Sequence, residues 1–152
     1  MTGATVSRSA SDLVEEGLRR LLAKDMTGFA ELWAADGVLE FPFASADSPA
    51  RLDGRDAVRE YLRDYNNYIA PERIVAQEVH ETADPGRIIV EFEVAGTIVA
   101  SEKPYSMRYI AVITAKDGEI VHYRDYWSPL AAAEAMGGTE ALTSFANSAA
   151  KA

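Results

Sequence analysis

The sequence predicts an α+β domain in which a curved antiparallel sheet wraps around helices and closes into a cone-shaped pocket. Three observations carry that expectation. Apolar residues recur at helical spacing in the first half of the chain and alternate in the second half. The stretch Lys116-Asp117-Gly118 joins two alternating runs as a hairpin. Helices followed by a meander of strands gather the helices on one side of the sheet, and a curved sheet closed that way leaves an apolar interior open at one end.

Taken in order, residues 1–10 are small and polar and predict a disordered N-terminus. From Asp12 the period becomes helical: Leu13, Gly17, Leu18, Leu21 and Leu22 share a face, with Ser11 or Asp12 as N-cap. "AKDMTGF" ends that helix and starts a shorter one through Phe29, Leu32 and Trp33. "ADGVLEFPF" reads as a turn and a short strand ending at Pro42, and "ASADSPARLDGRD" as a loop into a third helix, "AVREYLRDYNNYI". "IVAQEVHETADPG" is a strand and a Pro-Gly turn. In "RIIVEFEVAGTIV" the set Ile88, Val90, Phe92 and Val94 alternates with Ile89, Glu91, Glu93 and Ala95. "YSMRYIAVITAKDGEIVHYRDYW" supplies the hairpin, and "PLAAAEAMGG" a short helix stopped by glycine. Residues 11–138 thus make one domain, with an Ala- and Ser-rich tail or short helix over 139–152.

Composition narrows the function classes. A chain of 152 residues, 48% hydrophobic, suffices for one core. Fifteen basic against twenty-four acidic residues give a net charge of −9, which repels phosphate backbones and anionic lipid; neither nucleic acid nor membrane is an expected partner. Cysteine is absent, so no disulfide or thiolate chemistry is available. With no signal-peptide pattern and no apolar run of membrane-spanning length, the expected compartment is the cytoplasm. His80 and His122 are the only histidines, neither with a second at ligand spacing, and phosphate-binding loops are missing, so no metal or cofactor is expected.

The residues that point to chemistry lie in "IVHYRDYW", where Asp125 is flanked by Tyr123, Tyr126 and Trp127. Alternation puts Val121, Tyr123, Asp125 and Trp127 on one face, and Ile120, His122, Arg124 and Tyr126 on the other. If the first set faces the cone, desolvation raises the Asp125 pKa towards working pH, as a general acid/base requires. The alternative is an ion pair between Asp125 and Arg108 or Arg124, and spacing alone does not separate the two. Tyr61, Tyr65 and Tyr68 form a helical stripe whose hydroxyls need partners, from a pocket or from solvent. Tyr61 is the candidate hydrogen-bond donor and Tyr65 a contact. Phe41, Phe43 and Tyr109 are expected to shape the cavity with Tyr123 and Trp127, whereas Trp33 fits better as core. Glu40 faces solvent or a partner subunit, and Glu91 and Glu93 face solvent.

"AKDMTGFAELWAADGVLEFP", "LDGRDAVREYL" and "KDGEIVHYRDYWSPLAAAEAMG" resemble the nuclear-transport-factor-2-like superfamily, in its SnoaL-like and ketosteroid-isomerase-like branch. Residues 48–137, with "ETADP" at 81–85, are similar to phenazine-biosynthesis proteins of the A/B type. The resemblance implies a homodimer formed through the outer sheet face. It also implies a cofactor-free enzyme of secondary metabolism that isomerises, cyclises or dehydrates a small apolar carbonyl or phenolic metabolite. Asp125 falls where the phenazine-type proteins carry an acid/base glutamate, and through "RDYW" it matches the base of limonene-epoxide-hydrolase-like members. Tyr61 and Tyr65 replace a histidine and a serine of the phenazine pattern. The ketosteroid-isomerase base and oxyanion tyrosine fall at Phe41 and Gly17, which cannot serve. The epoxide-hydrolase pattern, with its arginine and second carboxylate, meets Glu91-Phe92-Glu93. Epoxide hydrolysis, with Asp125 activating water, and a non-catalytic small-molecule-binding or assembly domain are the alternatives the resemblance leaves.

Overall fold

The structure, a computed structural model, describes residues 7–137 except position 47. The expectations for residues 1–6 and for the tail at 139–152 lie outside the described residues. Six strands form one sheet in the order β2-β1-β6-β5-β4-β3, and the helices pack on its inner face.

Helix α1 (Ala10–Leu22) starts earlier than its apolar spacing suggests. Ser9, not Ser11 or Asp12, is the N-cap: its hydroxyl accepts from the Asp12 N–H at 3.1 Å, and the Asp12 carboxylate accepts from the Ser9 N–H at 2.9 Å. This reciprocal capping box satisfies two amide donors that would otherwise be orphaned. Leu13, Val14, Gly17 and Leu21 are its buried face. Helix α2 (Met26–Ala30) stops before Leu32, and Trp33 opens β1 (Trp33–Glu40), so the second helix does not reach Trp33.

A three-residue strand, β2 (Arg51–Asp53), lies inside the segment expected to be a loop and pairs with β1. Three residues are too few for alternation to show. Helix α3 (Arg55–Leu62) ends a turn earlier than its tyrosine stripe predicts; a 3₁₀ turn (Tyr65–Asn67) follows, and Ile69 already begins β3 (Ile69–Glu81).

The strand meander follows the sequence closely. In β4 (Arg87–Ile98), Ile88, Val90, Phe92 and Val94 are all buried, as their alternation predicts. β5 (Pro104–Lys116) and β6 (Glu119–Trp127) meet at a two-residue turn in which Asp117 and Gly118 both have positive φ, 54° and 78°. That mirror-image turn matches strand twist and favours Asp-Gly. Helix α4 (Pro129–Ala135) is capped by the Ser128 hydroxyl, which accepts from the Ala131 N–H at 3.1 Å.

Two features depart from simple alternation. The sheet is mixed rather than purely antiparallel: β1 runs parallel to β6, with Leu39 beside Tyr123. No tight turn links these two strands, so nothing local dictates their relative direction. In the hairpin, Thr114 pairs with His122 but Ala115 pairs with Ile120, leaving Val121 as an extra residue. This bulge switches the parity at the strand's start. Ile120 is buried at 3% exposure on the inner side, where Val121 was expected.

Candidate active site

Between the helices and the inner sheet face lies a cavity of about 140 Å³. Its walls come from α1 (Leu18, Leu21), β1 (Trp33, Leu39), the residue after β1 (Phe41), α3 (Tyr61), the 3₁₀ turn (Tyr65), β5 (Met107, Tyr109), β6 (Tyr123, Asp125, Trp127), α4 (Ala132) and the residue after it (Met136). Each of these elements presents its apolar stripe here because this is the face the core covers. The rings are ordered against one another. Trp33 stacks on Tyr123 at 5.3 Å between centroids, Phe92 stacks on Tyr109 at 5.1 Å, and Phe41 meets Tyr61 at 5.3 Å with a 38° tilt.

Asp125 enters this wall from β6. It is half-buried, and it lines the cavity. Its Oδ1 is buried and has no hydrogen-bond partner among the described residues. Loss of hydration pushes its carboxyl up from the usual 3.8 to about 7. The ion-pair alternative is not formed. Arg108 sits on the opposite face, exposed, with its Nε 3.2 Å from Glu93 Oε1, and Arg124 alternates to the outer side beside Glu40 in the strand register.

Four tyrosines surround the carboxyl. Burial, reinforced by the nearby Asp125 charge, raises Tyr61, Tyr109 and Tyr123 above the ordinary value of 10. Tyr65 is raised by burial and then by the neighbouring tyrosines and Asp125. All four therefore stay protonated near neutral pH and can donate a hydrogen bond.

Of the residues singled out from the sequence, Asp125, Tyr61, Phe41, Tyr65, Tyr109, Tyr123 and Trp127 come together around one cavity. Phe43 does not. It is 59% exposed and packs edge-on against Tyr126 at 5.2 Å. β1 ends at Glu40, and the Ala44 N–H bonds to the Phe41 carbonyl at 3.0 Å, so the chain turns at Pro42 and strand parity stops there. Trp33, expected as core, is both fully buried and part of the wall; its Nε1 has no hydrogen-bond partner among the described residues. Met107 also lines the cavity, and alternation in "YSMRY" with Tyr105 and Tyr109 is the signal that points it inward. The α4 residues carried no such signal, because which face of a short alanine-rich helix packs inward depends on the strand that precedes it.

Glu91 and Glu93 do not join Asp125, so the two-carboxylate arrangement of an epoxide hydrolase is not assembled. Glu91 lies 2.7 Å from His80 Nε2 on the outer face. Glu93 accepts from the Ser106 hydroxyl at 2.6 Å and from Arg108, and those bonds hold its carboxyl below the usual range. Glu40, on the outer side of β1, contacts His122 of β6. Among the described residues, one group brings three metal-capable donors within 4.8 Å of one another, Glu78, His80 and Glu91. No described helix is long and apolar enough to cross a membrane.

Residues 14–123 match the SnoaL-like domain family. The protein YesE of Bacillus subtilis is 39% identical over 130 residues, covering 86% of this chain and 88% of its own length. A PhzA/B-like protein of Pseudomonas aeruginosa, PA3332, is 35% identical over 133 residues, covering 88% and 94%. A crystal structure of a provisionally named isomerase from Bacillus subtilis superposes with a TM-score of 0.81 at 40% identity, covering 85% of this chain and 93% of that one. An NTF2-like protein of Burkholderia pseudomallei, at 20% identity, has the same fold with a TM-score of 0.70, covering 83% and 95%.

Proposed function

The chain belongs to the SnoaL-like domain family, on the nuclear-transport-factor-2-like fold, and from that premise we propose that it is an acid/base enzyme acting on a small, uncharged carbonyl or phenolic metabolite. The observation that carries the proposal is the unpartnered Oδ1 of Asp125 in the wall of an apolar cavity. With a pKa near 7, the carboxyl is divided between its two protonation states at neutral pH.

In this reading the Asp125 carboxylate removes a proton from the carbon beside the substrate carbonyl. The Tyr61 hydroxyl donates to the oxygen that becomes an enolate, and Tyr65 and Tyr109 border the same space. Protonated Asp125 then returns its proton to a second carbon, which completes an isomerisation. The same enolate also opens a route to cyclisation or dehydration. Phe41, Tyr123 and Trp127 hold the ring of the substrate. One positioned acid/base group contributes about 10²–10⁴-fold, enough for a substrate that is already activated. The isomerase name of the Bacillus subtilis structure supports this class of reaction.

We also propose a homodimer through the outer sheet face, where Phe43, Tyr126 and Ile110 leave apolar surface exposed beside charged residues. A β,γ-unsaturated cyclohexenone is a suitable test substrate, since its conversion to the conjugated isomer is read by ultraviolet absorbance. Wild type is expected to accelerate it and Asp125→Asn to lose about 10²–10⁴-fold in kcat while still binding the ring. Unchanged turnover in Asp125→Asn refutes the assignment.

A further inference from the structure

The lining of the cavity is one-sided in charge. Among the described residues that form it are nine aromatic side chains and three methionines, and no lysine, arginine or histidine. Ring faces present negative electrostatic potential, and thioether sulfur is soft and polarisable. The titratable groups facing Asp125 are Tyr61 from α3, Tyr65 from the 3₁₀ turn, Tyr109 from β5 and Tyr123 on its own strand, all held uncharged by burial. Asp125 is thus the one lining group able to carry a full charge near neutral pH, and that charge is negative.

An anionic guest would meet a wall without a counter-charge. A cationic guest would meet ring faces and an otherwise unneutralised carboxylate, the two elements that make an aromatic cage selective for alkylammonium ions. We propose that this cavity binds a small tertiary or quaternary alkylammonium ion, with the aromatic walls around its methyl groups and Asp125 as its counter-ion. The inference rests on the reading above only in taking the Asp125 cavity as the ligand site; it adds a second ligand class, which competes with the neutral substrate.

Size fits the same guest. A cavity of about 140 Å³ is close to one that holds a single benzene molecule, which accommodates a trimethylammonium group with a short tail. Binding of a permanent cation requires the ionised carboxyl, so it is linked to pH. With half-ionisation at about 7, the ionised fraction rises roughly thirtyfold between about pH 5.5 and pH 8, and apparent affinity follows that fraction.

Three probes of nearly the same shape separate charge from fit: choline, its carbon isostere tert-butylethanol, and the tert-butylacetic acid anion. Calorimetry at high ionic strength, which screens the acidic surface, is expected to rank choline first and the anion last at pH 8. Choline affinity should fall at least tenfold at pH 5.5, with tert-butylethanol changing little. In Asp125→Asn the choline pH dependence should vanish. If tert-butylethanol binds more tightly than choline at pH 8, or choline affinity is the same at both pH values, the inference is overturned; both readouts come from wild type, so they stand even if the variant does not fold. Failure here, with cyclohexenone turnover still dependent on Asp125, leaves the acid/base reading standing. Choline binding as expected, with turnover indifferent to Asp125→Asn, refutes that reading instead.

Discussion

Ala111 stands directly opposite Asp125 across the β5–β6 ladder, and it is completely buried. Directly opposed residues share a face and lie within side-chain reach. The group nearest to Asp125 across the ladder is therefore a methyl, which offers no hydrogen bond to the carboxylate. A donor at this place would hold the ionised form; alanine leaves burial as the dominant influence.

Replacing that methyl tests the point. Ala111→Ser puts one hydroxyl beside the carboxyl with a small increase in volume. It is expected to lower the Asp125 pKa from about 7 by roughly one unit, the scale of one hydrogen bond to a charged acceptor. The carboxyl carbon-13 shift followed against pH reads this directly. An unmoved midpoint counts against residue 111 lying within reach of the carboxyl.

Stability should depend on pH through the same group. Asp125 titrates at about 7 in the folded chain against 3.8 for an ordinary carboxyl, so the folded state binds its proton more tightly. Below the lower value both states are protonated and the group has no effect. Between the two values the unfolded chain ionises first and stability falls as pH rises; above the upper value the loss is constant, on the order of 4 kcal/mol. Asp125→Asn removes this contribution, so its stability relative to wild type should be near equal at about pH 4 and clearly higher at about pH 8. Urea denaturation of both proteins at the two pH values measures the difference, and parallel behaviour would show the carboxyl to be solvated.

Tyr61→Phe keeps the ring against Phe41, 5.3 Å away, and removes only the hydroxyl. Losing one donor to a developing oxyanion costs about 10²–10³-fold in kcat. A matching loss with KM little changed is expected in steady-state kinetics on the cyclohexenone. A rise in KM alone would reassign Tyr61 to ground-state binding.

Ile110 is 43% exposed on the outer sheet face, paired with Tyr126 on one side and Glu91 on the other. Ile110→Glu adds a like charge beside Glu91 and removes apolar contact area without touching the cavity. Sedimentation should show wild type as a dimer and the variant as a monomer with unchanged cyclohexenone turnover. A wild type that is monomeric at high concentration would end the dimer proposal.

Much of the fold was legible because its signals are local. The alternation of Ile88, Val90, Phe92 and Val94 reports a half-buried strand wherever that strand lies, and Asp117-Gly118 specifies its turn through backbone conformation alone. Sequence and structure differ where a local pattern continues past the point at which the chain changes shape. The tyrosines at 61, 65 and 68 keep helical spacing although the helix ends at Leu62, yet Tyr61 and Tyr65 still reach the cavity because the 3₁₀ turn preserves roughly the same side. Phe41 and Phe43 keep strand spacing although the strand has ended, and there the two side chains part company.

By itself, the sequence determined the α+β class, the order of helices and meander, and the set Tyr123, Asp125 and Trp127 on one strand face, since backbone periodicity and turn chemistry act over a few residues. Only the tertiary structure decided that β1 lies parallel to β6, that the bulge at Val121 turns Ile120 inward, and that Asp125 faces Ala111 rather than an arginine. Each of these is a pairing between residues far apart or a register choice. Its energy comes from burying one whole face of the sheet at once, so it is invisible in any short stretch of chain.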